Sequence, residues 1–362
     1  MNKGFKFRIY PDAEQRELFA KTFGCARFIY NRMLGDKIAY YEETGGQLHT
    51  TPAQYKDEFP WLREVDSLAL CNAQLNLEKA YNNFFDNQAG FPNFKSRRQG
   101  DNRYTTNLVN GNIALGDGFL KLPKVGMVKV KQHRAIPSGY RLKSVTVSLS
   151  PSGKYHASVL YEYDAKITPV TPINILGLDF SMKELYIDSN GDAPEFPRHY
   201  RRAQEKLGRM QRALSKMTKH SKNYAKQKKK IARFHERIAN QRKDFLHKQS
   251  RRIANAHDSV AVEDLDMRGM ARALNFGKSV HDNGWGMFTR FLGYKLTDRG
   301  KQLIKVSKWF PSSKKRSACG AIKDELSMSE RVYICDCGNI LDRDINAAIN
   351  IKNEATRMLA LA

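Results

Sequence analysis

The chain has 362 residues, with 62 Lys and Arg against 37 Asp and Glu, a formal net charge of +25. An excess that large points to a polyanionic partner, nucleic acid or an anionic membrane. A hydrophobic content of 41% is ordinary for a protein with a sizeable core. The opening residues carry no apolar signal-peptide core and no run of about 18 apolar residues follows, so neither secretion nor a membrane span is expected. Five cysteines in a chain this long argue against a disulfide framework.

The first element reads as a strand. In KGFKFRIYP, Phe5, Phe7 and Ile9 alternate with Lys6, Arg8 and Tyr10, and Pro11 ends the run. From Asp12 to about Phe85 the pattern is helical: Leu18, Phe19, Phe23 and Ala26 recur at helical spacing, as do Leu68, Leu75 and Leu77 with their neighbours. NQAGFPNFKSRRQG interrupts it with Gly and Pro. Strands return in FLKLPKVGMVKVKQH and in LKSVTVSLSPSGKYHASVLYEY, a hairpin turning at Ser150–Gly153. The pattern predicts a small β-barrel over 1–11 and 105–168, with a helical domain, 12–104, inserted between.

A Pro-rich linker at 169–172 leads into INILGLDFSMKELYIDSNGD, a strand, a tight turn and a second strand. The segment 198–252 is helical and holds 20 Lys and Arg against Glu205, Glu236 and Asp244, a net of +17. Tyr200, Ala203, Leu207, Met210, Leu214 and Met217 form a heptad seam, KHSKN breaks it, and Ile231, Phe234, Ile238 and Phe245 resume it. This predicts a helical hairpin with a narrow apolar stripe and broad cationic flanks. The flanks lack the opposite charges of a merely solvated face, so they are expected to meet phosphates, with Lys226, Lys228, Lys229 and Lys230 as candidates.

Three carboxylates stand out. In the strand INILGLDF, Asp179 shares a face with Ile175 and Gly177. In SVAVEDL, Glu263 shares a face with Ser259 and Ala261. Asp344 opens the helix INAAINI, while Asp342 is placed to cap that helix. An acid in an apolar strand loses solvation unless something compensates it. Three such oxygens from two strands and a helix could hold Mg²⁺, and a two-metal Mg²⁺ site hydrolyses phosphodiesters. The same stretch begins with cysteines, which suit a softer ion. Cys25 and Cys71 read as ordinary buried thiols in helices, whereas Cys319, Cys335 and Cys337 cluster.

GLDFSMKELY, VEDL, FPSSKKRSACG and CDCGNILDRDINAAINI resemble the signatures of TnpB, the transposon-encoded RNA-guided DNA endonucleases related to type V CRISPR effectors. FRIYPDAEQRELFAKTFGCARFIYN, WLREVDSLALCNAQLNLEKAYNNFF and GFPNFKSRR extend the resemblance over nearly the whole chain. It implies an RNase H-like (RuvC) α/β nuclease domain over 172–310 and 339–362, with the basic hairpin 198–252 inserted. It implies catalytic, Mg²⁺-binding Asp179, Glu263 and Asp344. It also implies a transposon-derived guide RNA, one protein per guide, a double-stranded DNA target and a short adjacent DNA motif. By position, Ser67, Leu68, Cys71, Val109 and Asn110 fall where relatives read that motif, and Lys95, Arg97 and Arg98 are candidates for backbone contacts. The protein is expected to be cytoplasmic and associated with the nucleoid.

The resemblance further makes 311–338 a zinc-ribbon-like insertion, so two metal sites of different hardness become neighbours in sequence. The family's first C-x-x-C is broken here by Arg316, which leaves Cys319, and the second knuckle is the short pair Cys335 and Cys337. Three thiols fall short of the four ligands of a closed site, and neither Asp324 nor Asp336 is a compelling fourth. Zinc is therefore expected to be weakly bound or absent. Two other readings are an RNA-guided repressor that does not cleave, disfavoured because all three acids remain, and a DNA transposase that needs no RNA.

Overall fold

The computed structural model describes residues 1–97, 100, 102–273, 282–326, 330–334, 337–338 and 340–361. The chain is mixed α+β and divides into two compact units, Met1–Ala165 and Lys166–Ala362. No described helix is long and apolar enough to cross a membrane.

In the first unit, β1 (Asn2–Tyr10) buries Phe5, Phe7 and Ile9, the face its alternation marks. Asp12 then starts α1 (Ala13–Thr44): its carboxylate accepts from Gln15 N at 2.9 Å, and Gln15 Oε1 accepts from Asp12 N at 3.2 Å. A short helix α2 (Tyr55–Glu58) and a 3₁₀ turn precede α3 (Ser67–Phe85), capped by Asp66. Strands β2 (Arg103–Asn107), β3 (Ala114–Gly116), β4 (Phe119–Leu122), β5 (Gly126–Lys131), β6 (Arg141–Leu149) and β7 (Tyr155–Glu162) join β1 in one antiparallel sheet.

The order is β2-β6-β7-β1-β5-β4-β3, and this corrects the expected barrel. Among the described residues no ladder joins β2 to β3, so the sheet is open. Two features explain it. β5 meets β1 only over Arg8–Tyr10, and β3 has three residues, too short to reach round to the far edge. The apolar face is covered by helices instead: Phe19, Phe23, Ile29 and Met33 of α1 and Leu70 and Leu77 of α3 share one core with Val145, Val147, Ala157 and Val159 of the sheet. A helix layer removes that face from water as effectively as closure would.

The second unit is built on β8 (Ile175–Phe180), β9 (Tyr186–Asp188), β10 (Ser259–Glu263) and β11 (Gln302–Val306), in the order β11-β10-β8-β9. β8, β10 and β11 run parallel, and β9 is an antiparallel edge. Leu176, Leu178, Val260 and Val262 face Leu246 and Ile253 of α5 (Lys222–Ala256) and Phe288, Leu292 and Leu296 of a later helix, Trp285–Thr297. Ala261, Ile304 and Val306 face Ile351 and Ala355 of the last helix, Arg343–Ala360. Burial on both faces accounts for the nearly unbroken apolar runs of β8 and β10. The basic hairpin is α4 (His199–Ser215) against α5, with Leu207, Ile231 and Ile238 buried along its seam. We number the remaining elements α6 (Met267–Ala273), α7 (Trp285–Thr297), β12 (Val332–Ile334), β13 (Ile340–Asp342) and α8 (Arg343–Ala360).

Candidate active site

The β8–β10 ladder runs from Ile175–Ser259 to Leu178–Val262. The next residues are Asp179 and Glu263, so both acids leave the same end of adjacent parallel strands. They share the face on which Gly177 lies beside Ala261. α8 packs on that face. A Cβ at Gly177 would collide with the Ala348 carbonyl and lie 2.8 Å from Lys352 N, so only glycine lets the helix come this close. Asp344 is one turn before Ala348, about 6 Å along the helix, and Asp179 is two residues beyond Gly177, about 6.6 Å along the strand. The matched steps bring Asp344 to Asp179.

The electrostatics agree with that convergence. Burial, then the charges of Asp344 and Glu263, hold the Asp179 carboxyl well above the ordinary range. Burial pushes Glu263 up to about 7. The Asp344 side chain is 23% exposed, with Arg331 Nη1 at 3.5 Å and Arg343 Nε at 3.6 Å. Asp342 does cap α8: its Oδ1 accepts from Asp344 N at 2.9 Å and Ile345 N at 3.1 Å. The other acid beside the site, Asp264, is engaged by Lys305 at 2.7 Å. Asp179 is thus a buried acid that feels the charges of two neighbouring carboxylates, a repulsion a cation would relieve, although no group of three acids, cysteines or histidines among the described residues is placed to hold a metal ion as it stands.

One neighbour was not marked by sequence reasoning. Val306 of β11 pairs with Glu263, and its carbonyl accepts from Asp264 N at 2.9 Å. Three residues later Trp309 is 82% exposed, with the Lys308 ammonium 4.9 Å from its ring centre. The Lys-Trp-Phe run after a strand was the available signal. An exposed indole beside a cation is a surface on which a nucleobase can stack.

Lys226, Lys228, Lys229 and Lys230 are all exposed on α5. In the first unit, a cleft of about 380 Å³ opens between α1, α3 and the β2–β6 edge. Arg27, Asn72, Asn76, Lys95, Arg103 and Thr146 are among its walls. Arg27 Nη1 has no hydrogen-bond partner among the described residues, and Lys95 Nζ sits 3.7 Å from the Tyr30 ring centre. Ser67, Leu68 and Cys71 lie on the same helix as Asn72 and Asn76 but do not line the cleft, and Cys71, expected to be buried, is exposed because the helix turns Ala69, Leu70, Ala73 and Leu77 to the core instead. The wall alternates Ala69, Asn72, Ala73 and Asn76, a small-and-amide stripe that could have been read from the sequence. Asn110 adopts φ +49° in a turn closed by Val109 N donating to Asn112 Oδ1. Arg97 and Val109 are exposed. Arg98 and Cys335 lie outside the described residues, as does Asp336. Cys319 and Cys337 are exposed, whereas Arg316 is fully buried.

Comparison with known proteins places the chain. A helix-turn-helix domain model of IS605 OrfB proteins matches residues 1–46, which here form β1 and the single helix α1. The IS605 OrfB model described as "Probable transposase" matches 158–274, and a Cas12f1-like TNB domain model matches 285–351. A "Putative RNA-guided DNA endonuclease" of Streptomyces pristinaespiralis is 33% identical, over 97% of this chain and 89% of its own length. The chain belongs to the TnpB family. A second relative, "Putative RNA-guided DNA endonuclease InsQ" of Escherichia coli K12, is 31% identical over 99% of this chain and 93% of its own length. The protein chain of a Cas12f1–sgRNA–target DNA complex superposes with a TM-score of 0.64, covering 98% of this chain and 99% of that one at 14% identity, a likeness of fold. Asp179 and Glu263 fall within the IS605 OrfB match at 158–274, and Asp344 within the Cas12f1-like TNB match at 285–351.

Proposed function

We propose that this chain is an RNA-guided DNA endonuclease of a mobile element, which uses a transposon-derived guide RNA to cleave double-stranded DNA beside a short adjacent motif. The observation that carries the reading is geometric: Asp179 and Glu263 leave the same end of adjacent parallel strands and α8, which Asp344 opens, packs on that face, while burial and the charges of Asp344 and Glu263 raise Asp179 above its ordinary range. Structural carboxylates are seldom gathered at such a cost, whereas metal-binding ones are. The donor chemistry suits a hard cation, since the acids at this end of β8 and β10 offer carboxylate oxygens, although among the described residues no three of them already stand as a preformed ligand set. Asp179, Glu263 and Asp344 would hold Mg²⁺, which when bound supplies an activated water and stabilises the leaving oxygen. The chain's own residues orient that chemistry. Gly177 sets the depth of α8, Asp342 fixes its first turn, and Trp309 is a stacking surface for a base of the strand entering the site.

The remaining assignments follow the same reading. The second unit is the RNase H-like nuclease domain, and its basic hairpin 198–252 follows the phosphates of the guide RNA or of its heteroduplex with DNA. The cleft of the first unit, with its cations and amides, takes the adjacent DNA motif, and Lys95 and Arg97 contact backbone there. One protein serves one guide RNA, in the cytoplasm beside the nucleoid. Sequencing RNA that copurifies with the chain, then assaying cleavage of plasmids matching that RNA with and without Mg²⁺, tests the proposal. Matched, Mg²⁺-dependent cleavage is the expected result. Guided binding without cleavage would make the protein a repressor, and absence of bound RNA would sink the reading.

A further inference from the structure

Zinc is the metal a ribbon of this family implies, and the residues present do not fit it. Arg316, which stands at the first ligand position, is 0% exposed. Its Nε, Nη1 and Nη2 have no hydrogen-bond partner among the described residues. A guanidinium stays protonated, has no lone pair for a metal, and its charge opposes a dication placed beside it. Cys319 and Cys337 are exposed and Cys335 lies outside the described residues, so it is Arg316 that speaks against a closed site.

What the guanidinium does have is a ring. Its carbon lies 5.3 Å from the centre of the Tyr333 ring, and Tyr333 is itself 1% exposed. The same ring has the Lys323 ammonium at 4.9 Å, and its hydroxyl donates to Lys314 O at 2.7 Å. Cation–π attraction strengthens when both partners are desolvated, as they are here. The stack therefore ties β12 to the first knuckle on both sides of Arg316. The knuckle turn is kept by the backbone: Arg316 N donates to Ala321 O at 2.7 Å and Gly320 N to Arg316 O at 2.9 Å.

We infer that in this chain the Arg316–Tyr333 stack takes the place of the ribbon's metal, and that the ribbon is a metal-independent element fastening α8. The fastening is explicit in the hydrogen bonds. Asn346 Nδ2 donates to Lys315 O at 2.7 Å, and Ser317 N donates to Asn346 Oδ1 at 3.0 Å. Asn350 Nδ2 donates to Ser312 O at 2.8 Å. Asn346 and Asn350 are 0% and 2% exposed, one turn apart on the helix that Asp344 opens. A ribbon normally draws much of its folding free energy from bound metal. Here that role passes to the buried stack and to two helix amides.

The test uses the full-length chain and two readouts that do not depend on cleavage: zinc per chain by elemental analysis, and the rate of limited proteolysis within 311–338. The wild-type protein is expected to carry zinc well below one per chain. Its protection is expected to be unchanged after dialysis against a zinc chelator. Arg316→Ala and Tyr333→Ala should each speed proteolysis of the segment by about tenfold or more without altering zinc content. Tyr333→Phe, which keeps the ring, should retain most of the protection and separates loss of the stack from general misfolding. A stoichiometric, chelator-resistant zinc would overturn the inference. So would protection that collapses on chelation, or protection unchanged in both alanine variants.

Discussion

Gly177 and Ala348 are pressed together, strand against helix, with no room for a Cβ between them. The Gly177 backbone is not in the left-handed region, so the constraint is one of space. Gly177→Ala is therefore expected to push α8 outward and cost about 1–3 kcal/mol of stability. Displacing Asp344 by about 1 Å should slow cleavage by roughly a hundredfold. Gly286, in α7, has nothing within 4 Å of its Cβ position, so Gly286→Ala should be neutral or stabilise by up to about 1 kcal/mol. Thermal melts and cleavage rates of the two variants check the contrast; equal behaviour would remove the packing argument.

Asp179→Ala, Glu263→Ala and Asp344→Ala are each expected to abolish cleavage and to leave guided DNA binding largely intact, because the carboxylates hold metal rather than nucleic acid. Asp342→Asn should be much milder, since asparagine also caps helices. A cleavage assay run beside a binding assay decides each residue separately. Near-normal cutting by any one alanine variant would remove that residue from the site.

The acid cluster has a cost that should be visible in the metal-free protein. Asp179 is raised well above its ordinary 3.8 and Glu263 is raised from 4.5 to about 7. Over the interval between unfolded and folded pKa the native state binds more protons than the unfolded chain. The stability these groups allow is thus greatest at low pH and is lost as pH rises through the folded values. Metal-free Asp179→Asn should melt several degrees above the wild type at pH 8, with the gap narrowing toward pH 5. A lower melting temperature, or a gap independent of pH, would contradict the assignment of burial and charge as its cause.

Replacing Lys226, Lys228, Lys229 and Lys230 with Gln is expected to flatten the salt dependence of RNA binding. Each lost phosphate contact should reduce the log–log slope by roughly 0.7–0.9. Titrations over a range of salt concentrations measure this, and an unchanged slope would mean that these lysines only solvate the hairpin.

Trp309→Ala is expected to weaken single-stranded DNA binding at the cleavage site by about 1–3 kcal/mol, the range for one base–aromatic stack. Adding single strands to the wild type should quench its tryptophan fluorescence. Trp285 is buried and will respond little, so the Trp309→Ala protein should lose most of the quenching. Full quenching in the variant would assign the signal to Trp61 and end the proposal.

The sequence was most legible where one residue's surroundings lie along its own strand or helix. Phe5, Phe7 and Ile9 announced a half-buried strand because their neighbours alternate, and the hairpin seam was readable because Leu207, Ile231 and Ile238 keep its period. Asp179 and Glu263 drew attention because acids amid apolar strand residues are costly. The barrel expectation failed because closure depends on pairing between remote strands. Alternation cannot reveal that β5 touches β1 over three residues only. Gly177 looked like a small neighbour of Asp179. Its real constraint comes from Ala348, 171 positions away in the chain, and nothing local encodes it. Arg316 was visible as a missing ligand, but its stacking on Tyr333 needed the ribbon's two halves in place.

The placement of β1 has a consequence for synthesis. Residues Asn2–Ile9 pair with Tyr155–Glu162, so the first strand made is the middle of a sheet whose main partner is among the last of its unit. At ribosomal rates of about 5–20 residues per second, the nascent chain spends on the order of ten seconds with Phe5, Phe7 and Ile9 unpaired. Exposed apolar strands of this kind invite association with other chains, and lysines along a strand discourage it. In the finished sheet Lys6 stays exposed on the other face, and Lys3 is exposed at the start of the strand. Their charges guard the strand while it waits at the ribosome for β7 to emerge.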